Sequence, residues 1–216
     1  IIGTYGHSYL GFTALYTAAG MEDPPKVIIA NDPVASPRGG LYTNGAMNHH
    51  FDYYWSILVD GKILELQKTI ALDWDRLFPL LPLKEAHRGV NRKIPFYEDW
   101  VDWANGSFGS GKFPETSMLR CDGAAVLLLG GWFDLFCTDV INLYGELRAR
   151  NGKERVKLII GPFDHGSSPP PESEIEFGDW QSLNISTISD RWQDHWLLDE
   201  ANGVESEPSA RFFLLG

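Results

Sequence analysis

Three apolar runs of strand length constrain this chain most, because each runs into a glycine-bearing loop that carries one chemically capable side chain. "IIGTYGHSYLG" carries Ser8, "AAVLLLGGWFDLF" carries Asp134, and "RVKLIIGPFDHG" carries His165. Helical stretches lie between them. Leu10, Ala14, Leu15 and Ala18 recur at helical spacing before Gly20, and "VINLYGELRARNG" ends with basic residues and Gly152. "KVIIAND" is a further β-rich run, closed by Asp32-Pro33. Alternation of strand, helix and strand predicts a parallel α/β sheet. In such sheets ligands bind outside the carboxyl ends of the strands, so the three loops are expected to share one edge.

Between Gly39 and about Glu115 the alternation stops. Aromatic clusters ("HHFDYYW", "YEDWVDW"), a proline-punctuated "LFPLLPLKEAH" and a glycine-rich "NGSFGSGKFP" take its place. The stretch 39–115 reads as an inserted, mainly helical cap, with 1–38 and 116–203 as the two parts of one core. "ISDRWQDHWLLDEANG" reads as a late helix stopped by Asn-Gly, and "SARFFLLG" as a β-like run.

Composition excludes several classes. A net charge of −11 without any Lys/Arg cluster argues against a nucleic-acid partner. No apolar run approaches the roughly 20 residues that span a bilayer, so no membrane partner is expected. Two cysteines, Cys121 and Cys137, make neither a disulfide framework nor a metal site. His49 and His50 are adjacent and lack further ligands of suitable spacing, so neither metal nor cofactor is expected. No leader is recognisable, which leaves a cytoplasmic location as the expectation.

The order Ser, Asp, His matches that of α/β-hydrolases. A serine hydroxyl attacks a carbonyl only when a base takes its proton, an imidazole with an ordinary pKa near 6.5 suits that task, and a carboxylate would hold its tautomer. The residue types leave alternatives open. Ser8 also fits a small polar residue at a bend, Asp134 a helix cap, and His165 an ordinary loop histidine. Asp139, Asp164, His7 and His195 compete less well: Asp139 falls at the start of a helix, Asp164 only neighbours His165, His7 lies within the turn itself, and His195 sits on an aromatic helix.

"GTYGHSYLGFTALYTAA" resembles the nucleophile elbow of the cocaine esterase-like (CocE/NonD) hydrolases, relatives of the X-Pro dipeptidyl-peptidases and α-amino acid ester hydrolases. Their elbow reads G-x-S-Y-x-G, which accounts for Leu10 and Gly11. "GGWFDLF" resembles their G-W-Y-D acid loop and "GPFDHG" their G-P-W-x-H-G histidine loop, with Phe133 and Phe163 replacing Tyr and Trp. The resemblance implies a partial α/β-hydrolase fold with an inserted helical cap, and Ser8, Asp134 and His165 as nucleophile, acid and base. It implies the Tyr9 backbone N–H as an oxyanion donor and Phe136 as a pocket aromatic. Trp55, one of the cap aromatics, and Trp132 are further pocket candidates on their aromatic side chains. Cap aromatics such as Phe51, Tyr53, Tyr54, Trp100 and Trp103 read mostly as cap core.

The same resemblance implies that the chain is part of a larger protein. Early strands and a second oxyanion donor would precede Ile1. Residues 204–216 would open a C-terminal β-sandwich (jelly-roll) domain. The implied activity is serine hydrolysis of an ester, amide or short peptide through an acyl-enzyme. An X-Pro dipeptidyl-peptidase or α-amino acid ester hydrolase gripping a free amino group is the alternative, and a non-catalytic interaction module the alternative of another class. A homo-oligomer is compatible with all three.

Overall fold

The computed structural model describes residues 1–61, 66–103, 121–171 and 173–215. In chain order it contains β1 (Gly3–His7), α1 (Tyr9–Gly20), β2 (Val27–Asn31), α2 (Pro37–Leu41), β3 (Tyr42–Thr43), β4 (Ala46–Met47), α3 (His49–Asp60), α4 (Leu66–Ile70), α5 (Trp74–Leu77) and α6 (Pro95–Asp102). Then follow β5 (Ala125–Gly131), α7 (Cys137–Asn151), β6 (Val156–Gly161), α8 (Ile185–Leu198) and β7 (Ala210–Phe212). The chain forms two compact units, one of Ile1–Gly40 with Pro114–Gly216 and one of Leu41–Phe113. The expected glycine-rich loop "NGSFGSGKFP" lies outside the described residues.

Among the described residues the first unit holds a five-stranded, wholly parallel sheet in the order β1-β2-β5-β6-β7. Successive side chains on a strand point to opposite faces, and here both faces are covered. Ile28, Ala30, Val126, Leu128 and Leu158 pack with Ala14 and Leu15 of α1 and Val140 and Leu147 of α7. The alternate positions Val27, Ile29, Leu127, Leu129 and Ile159 pack on the other face with Trp192 of α8. Burial on both faces is why β5 reads as an unbroken apolar run and why β2 and β6 depart from one only at Asn31 and Lys157.

At the C-terminal side Ala210–Phe212 is the edge strand β7, pairing Ala210 with Leu158 and Phe212 with Ile160. A buried lysine fastens this edge: Lys157 Nζ donates to the Val204 carbonyl (3.1 Å) and to Glu207 (2.5 Å). Glu207 works against the penalty of its own burial, and Lys157 and Arg191 hold its carboxyl below the usual range. The late helix begins earlier than expected, at Ile185, because the Asn184 side chain accepts from the Thr187 N–H. It stops at Asp199, which takes a left-handed φ of 58°, and not at Asn202-Gly203.

The second unit packs its own core. Tyr53, Ile57, Ala86, Ile94 and Tyr97 are fully buried, and the Tyr53 hydroxyl donates to the Ala86 carbonyl at 2.7 Å. Asp52 is 0% exposed in the first turn of α3, and neither of its carboxylate oxygens has a hydrogen-bond partner among the described residues. Burial therefore pushes its carboxyl up to about 8.

Candidate active site

Parallel strands bring their carboxyl ends to one edge, and the register aligns them closely: His7 pairs with Asn31, Asn31 with Leu129, and Gly131 with Gly161. Each candidate residue follows one of these ends. The ladder continues one step further, with Ser8 N–H donating to the Asn31 carbonyl and Asp32 N–H to the Leu129 carbonyl, both at 2.8 Å.

Ser8 sits between β1 and α1 with φ 56° and ψ −125°, a conformation that side-chain-bearing residues seldom adopt. Two glycines make that turn sterically feasible. A Cβ on Gly6 would lie 2.1 Å from the Leu10 carbonyl oxygen, inside the first turn of α1. A Cβ on Gly11 would lie 3.1 Å from both the Gly6 oxygen and Pro33. Gly11, one place later than in the commoner G-x-S-x-G spacing, is thus the residue that lets α1 pass close to β1. As the first residue of α1, Tyr9 has a backbone N–H with no intrahelical acceptor.

The acid and histidine loops interlock through their backbones. Trp132 N–H donates to the Gly161 carbonyl and Phe133 N–H to the Phe163 carbonyl. A Cβ on Gly131 would meet the Phe163 oxygen at 2.1 Å, so only glycine permits this crossing. The result sets Asp134 against His165. His165 Nδ1 lies 3.0 Å from Asp134 Oδ1, and His165 Nε2 lies 2.7 Å from Ser8 Oγ. Asp134 is buried and presents a carboxylate, which only accepts, so the imidazole proton belongs on Nδ1 and Nε2 is left to accept from the serine hydroxyl.

The other expected residues are placed as follows. Phe136 is 1% exposed and meets the His165 ring edge-on, with centroids 5.3 Å apart. Trp132 packs against the core on the α7 side, and its indole N–H donates to the Phe213 carbonyl at 2.7 Å. Trp55 lies on α3 in the second unit, half-buried and stacked on Phe51. The competing acids have structural tasks. Asp139 accepts from the Ala35 and Ser36 N–H groups, and Asp164 from the Gly166 N–H. His195 bonds the Glu200 carbonyl. His49 faces Tyr53 and Tyr97. Among the described residues no group of three or more His, Cys, Asp or Glu is arranged to hold a metal, and no helix is long and apolar enough to cross a membrane.

A second polar cluster adjoins these three residues and has no obvious sequence signal. His7 Nε2 donates to the His165 carbonyl at 2.7 Å and lies 3.5 Å from Asp32 Oδ2. Ser167 Oγ donates to Asp32 Oδ2 at 2.9 Å and accepts from Asn31 Nδ2 at 2.6 Å. Asp32 is 1% exposed. Burial pushes its carboxyl up to about 6, with the Asp134 charge acting in the same direction and the His7 and Ser167 bonds opposing it. The bond to Asp32 raises the His7 imidazole above its ordinary value, against the effect of burial. The only sequence cue was the position of Asp32 at a strand end.

The family model of the X-Pro dipeptidyl-peptidases (S15 family) matches residues 1–167. Among solved structures, the chain is similar to an aminopeptidase from the marine sediment archaeon Thaumarchaeota archaeon, at 20% identity and TM-score 0.65, over 91% of this chain and 35% of that one. It is also similar to a selenomethionine-labelled α-amino acid ester hydrolase, at 16% identity and TM-score 0.56, over 97% of this chain and 36% of the other. At these identities the likeness speaks to the fold, an α/β-hydrolase-like one. The chain spans roughly a third of the length of each of these structures. No curated protein matches it.

Proposed function

Because the chain belongs to the X-Pro dipeptidyl-peptidase (S15) family, we propose that it carries the reaction centre of a serine hydrolase acting on an ester, an amide or a short peptide. The observation that supports this best is the bridging position of His165, 2.7 Å from Ser8 Oγ and 3.0 Å from Asp134 Oδ1. Ser8 Oγ attacks the substrate carbonyl carbon as its proton passes to His165 Nε2. Asp134 holds the Nδ1 proton and stabilises the imidazolium that results. The Tyr9 N–H, at the positive end of α1, donates to the oxyanion. His165 then returns the proton to the leaving amine or alcohol, and the acyl group stays on Ser8. Water, activated by the same imidazole, releases the acid in the second half.

On this reading residues 1–38 and 116–203 are the two parts of the hydrolase core and 39–115 is an inserted cap. The relatives named above, an aminopeptidase and an α-amino acid ester hydrolase, favour substrates with a free α-amino group as the second reading. A panel of p-nitrophenyl esters and aminoacyl or dipeptidyl p-nitroanilides, run with wild type and Ser8→Ala, tests both readings. Turnover lost in Ser8→Ala supports the proposal, and preference for unblocked over N-acetylated substrates supports the second reading. Equal turnover by both proteins contradicts a serine mechanism.

A further inference from the structure

We infer that Asp32 is a positioning residue for the proposed reaction, acting through His7 and Ser167 to hold the histidine loop so that His165 keeps its bond to Ser8. The inference rests on the hydrolase reading for its catalytic consequence and on geometry for its mechanism. One carboxylate oxygen, Asp32 Oδ2, gathers two elements around itself. From the β1 side it faces His7, the residue before the nucleophile, whose Nε2 also donates to the His165 backbone carbonyl. From the histidine loop it accepts the Ser167 hydroxyl, two residues past the base. Asn31, the neighbour of Asp32, bonds the same hydroxyl. The loop carrying His165 is thus gripped at the His165 carbonyl and again two residues beyond it by groups anchored at the ends of β1 and β2.

Backbone conformation points the same way. Six non-glycine residues among the described ones have a left-handed φ. Asn44 is at the turn between β3 and β4, Asn91 ends a 3-10 helix over Leu83–Val90, and Asp199 ends α8. The other three, Ser8 (φ 56°), Asp32 (φ 44°) and Ser167 (φ 60°), belong to this site. Strained residues persist where the surrounding bonds over-determine them, and the Asp32 cluster supplies such bonds. Among the described residues the titratable groups facing this cluster are His7, His165, Asp134 and Cys137.

The test compares the full chain as wild type, Asp32→Asn and Ser167→Ala. One readout is the rate of Ser8 labelling by a fluorophosphonate. The other is the set of histidine ring 15N resonances over pH, which report imidazole tautomer and order without any turnover. In Asp32→Asn, labelling is expected to slow by about tenfold or more with the melting temperature little changed. The His7 titration moves down toward an ordinary histidine, and the His165 ring signals broaden. Where substrates turn over, kcat falls and KM holds, whereas a general loss of structure would move both. Ser167→Ala removes one of the bonds and leaves the buried carboxyl in place, giving a smaller change in the same direction. Wild-type labelling rate together with unchanged His7 and His165 resonances in Asp32→Asn overturns the inference. If wild type fails to label, the hydrolase reading falls, and the resonances alone decide whether Asp32 orders His165.

Discussion

His165 Nε2 lies 2.7 Å from Ser8 Oγ although 157 positions separate the two residues in the chain. Nothing local holds them together. The contact exists because β1 and β6 run parallel in one sheet and each hands its next loop to the same edge. A site built this way depends on three features: strand-end geometry, the glycines that let the backbones cross, and the carboxylate that orients the imidazole.

The carboxylate is the simplest to remove. Asp134→Asn keeps the shape but offers an amide where Nδ1–H needs an acceptor, so the imidazole is free to turn to the wrong tautomer. A fall of about 10³–10⁴ in kcat on an activated ester is expected, with KM little changed. A fall of less than tenfold would assign the orienting role elsewhere.

The turn at Ser8 depends on close approach. Gly6→Ala places a methyl group 2.1 Å from the Leu10 carbonyl oxygen, which is backbone and cannot swing aside. The loss of stability is expected to reach about 2–3 kcal/mol or more, with Ser8 labelling lost alongside. Urea unfolding followed by tryptophan fluorescence measures it. An unchanged midpoint would contradict the described crossing of β1 and α1.

In the second unit, Asp52 controls the response to alkali. Its carboxyl is pushed up to about 8 in the fold against an ordinary value near 3.9, so the folded state binds this proton more tightly. The stability tied to that proton is fully present below about pH 4 and declines as pH rises, until the group ionises near pH 8. Asp52→Leu removes both the unpartnered oxygens and the titration. At pH 9 the variant is expected to exceed wild type by roughly 1–3 kcal/mol, and the gap should shrink toward pH 4. Urea titrations at the two pH values check this, and a gap that does not change with pH would show Asp52 ionised throughout.

The sequence exposed much of this architecture, for physical reasons that differ by element. β2, β5 and β6 were legible because strands buried on both faces have to be mostly apolar, with Lys157 the exception inside β6. Ser8, Asp134 and His165 stood out because each follows such a run through glycine. The α/β-hydrolase-like fold and the family followed from the same loops. Asp32 and Ser167 were not legible as a cluster, since an Asp-Pro after a strand and a serine in a Gly-Ser turn look like ordinary loop chemistry. Their meeting depends on sheet register. The partner of β7 was not legible, because a three-residue β-prone run carries no sign of which strand it pairs with. The bond from the Trp132 indole to the Phe213 carbonyl was not legible, because it joins residues 81 positions apart. The end of α8 was placed at Asn-Gly because glycine is the usual stop, whereas Asp199 adopts the left-handed conformation itself.

The central claim, that Ser8 is an activated nucleophile, is tested most directly by intact-mass analysis after exposure to a fluorophosphonate, with Ser8→Ala alongside. The account predicts one adduct on the wild-type chain, none on the variant, and the modified peptide containing Ser8. A folded wild-type chain that stays unmodified, or an adduct that survives in Ser8→Ala, would contradict it.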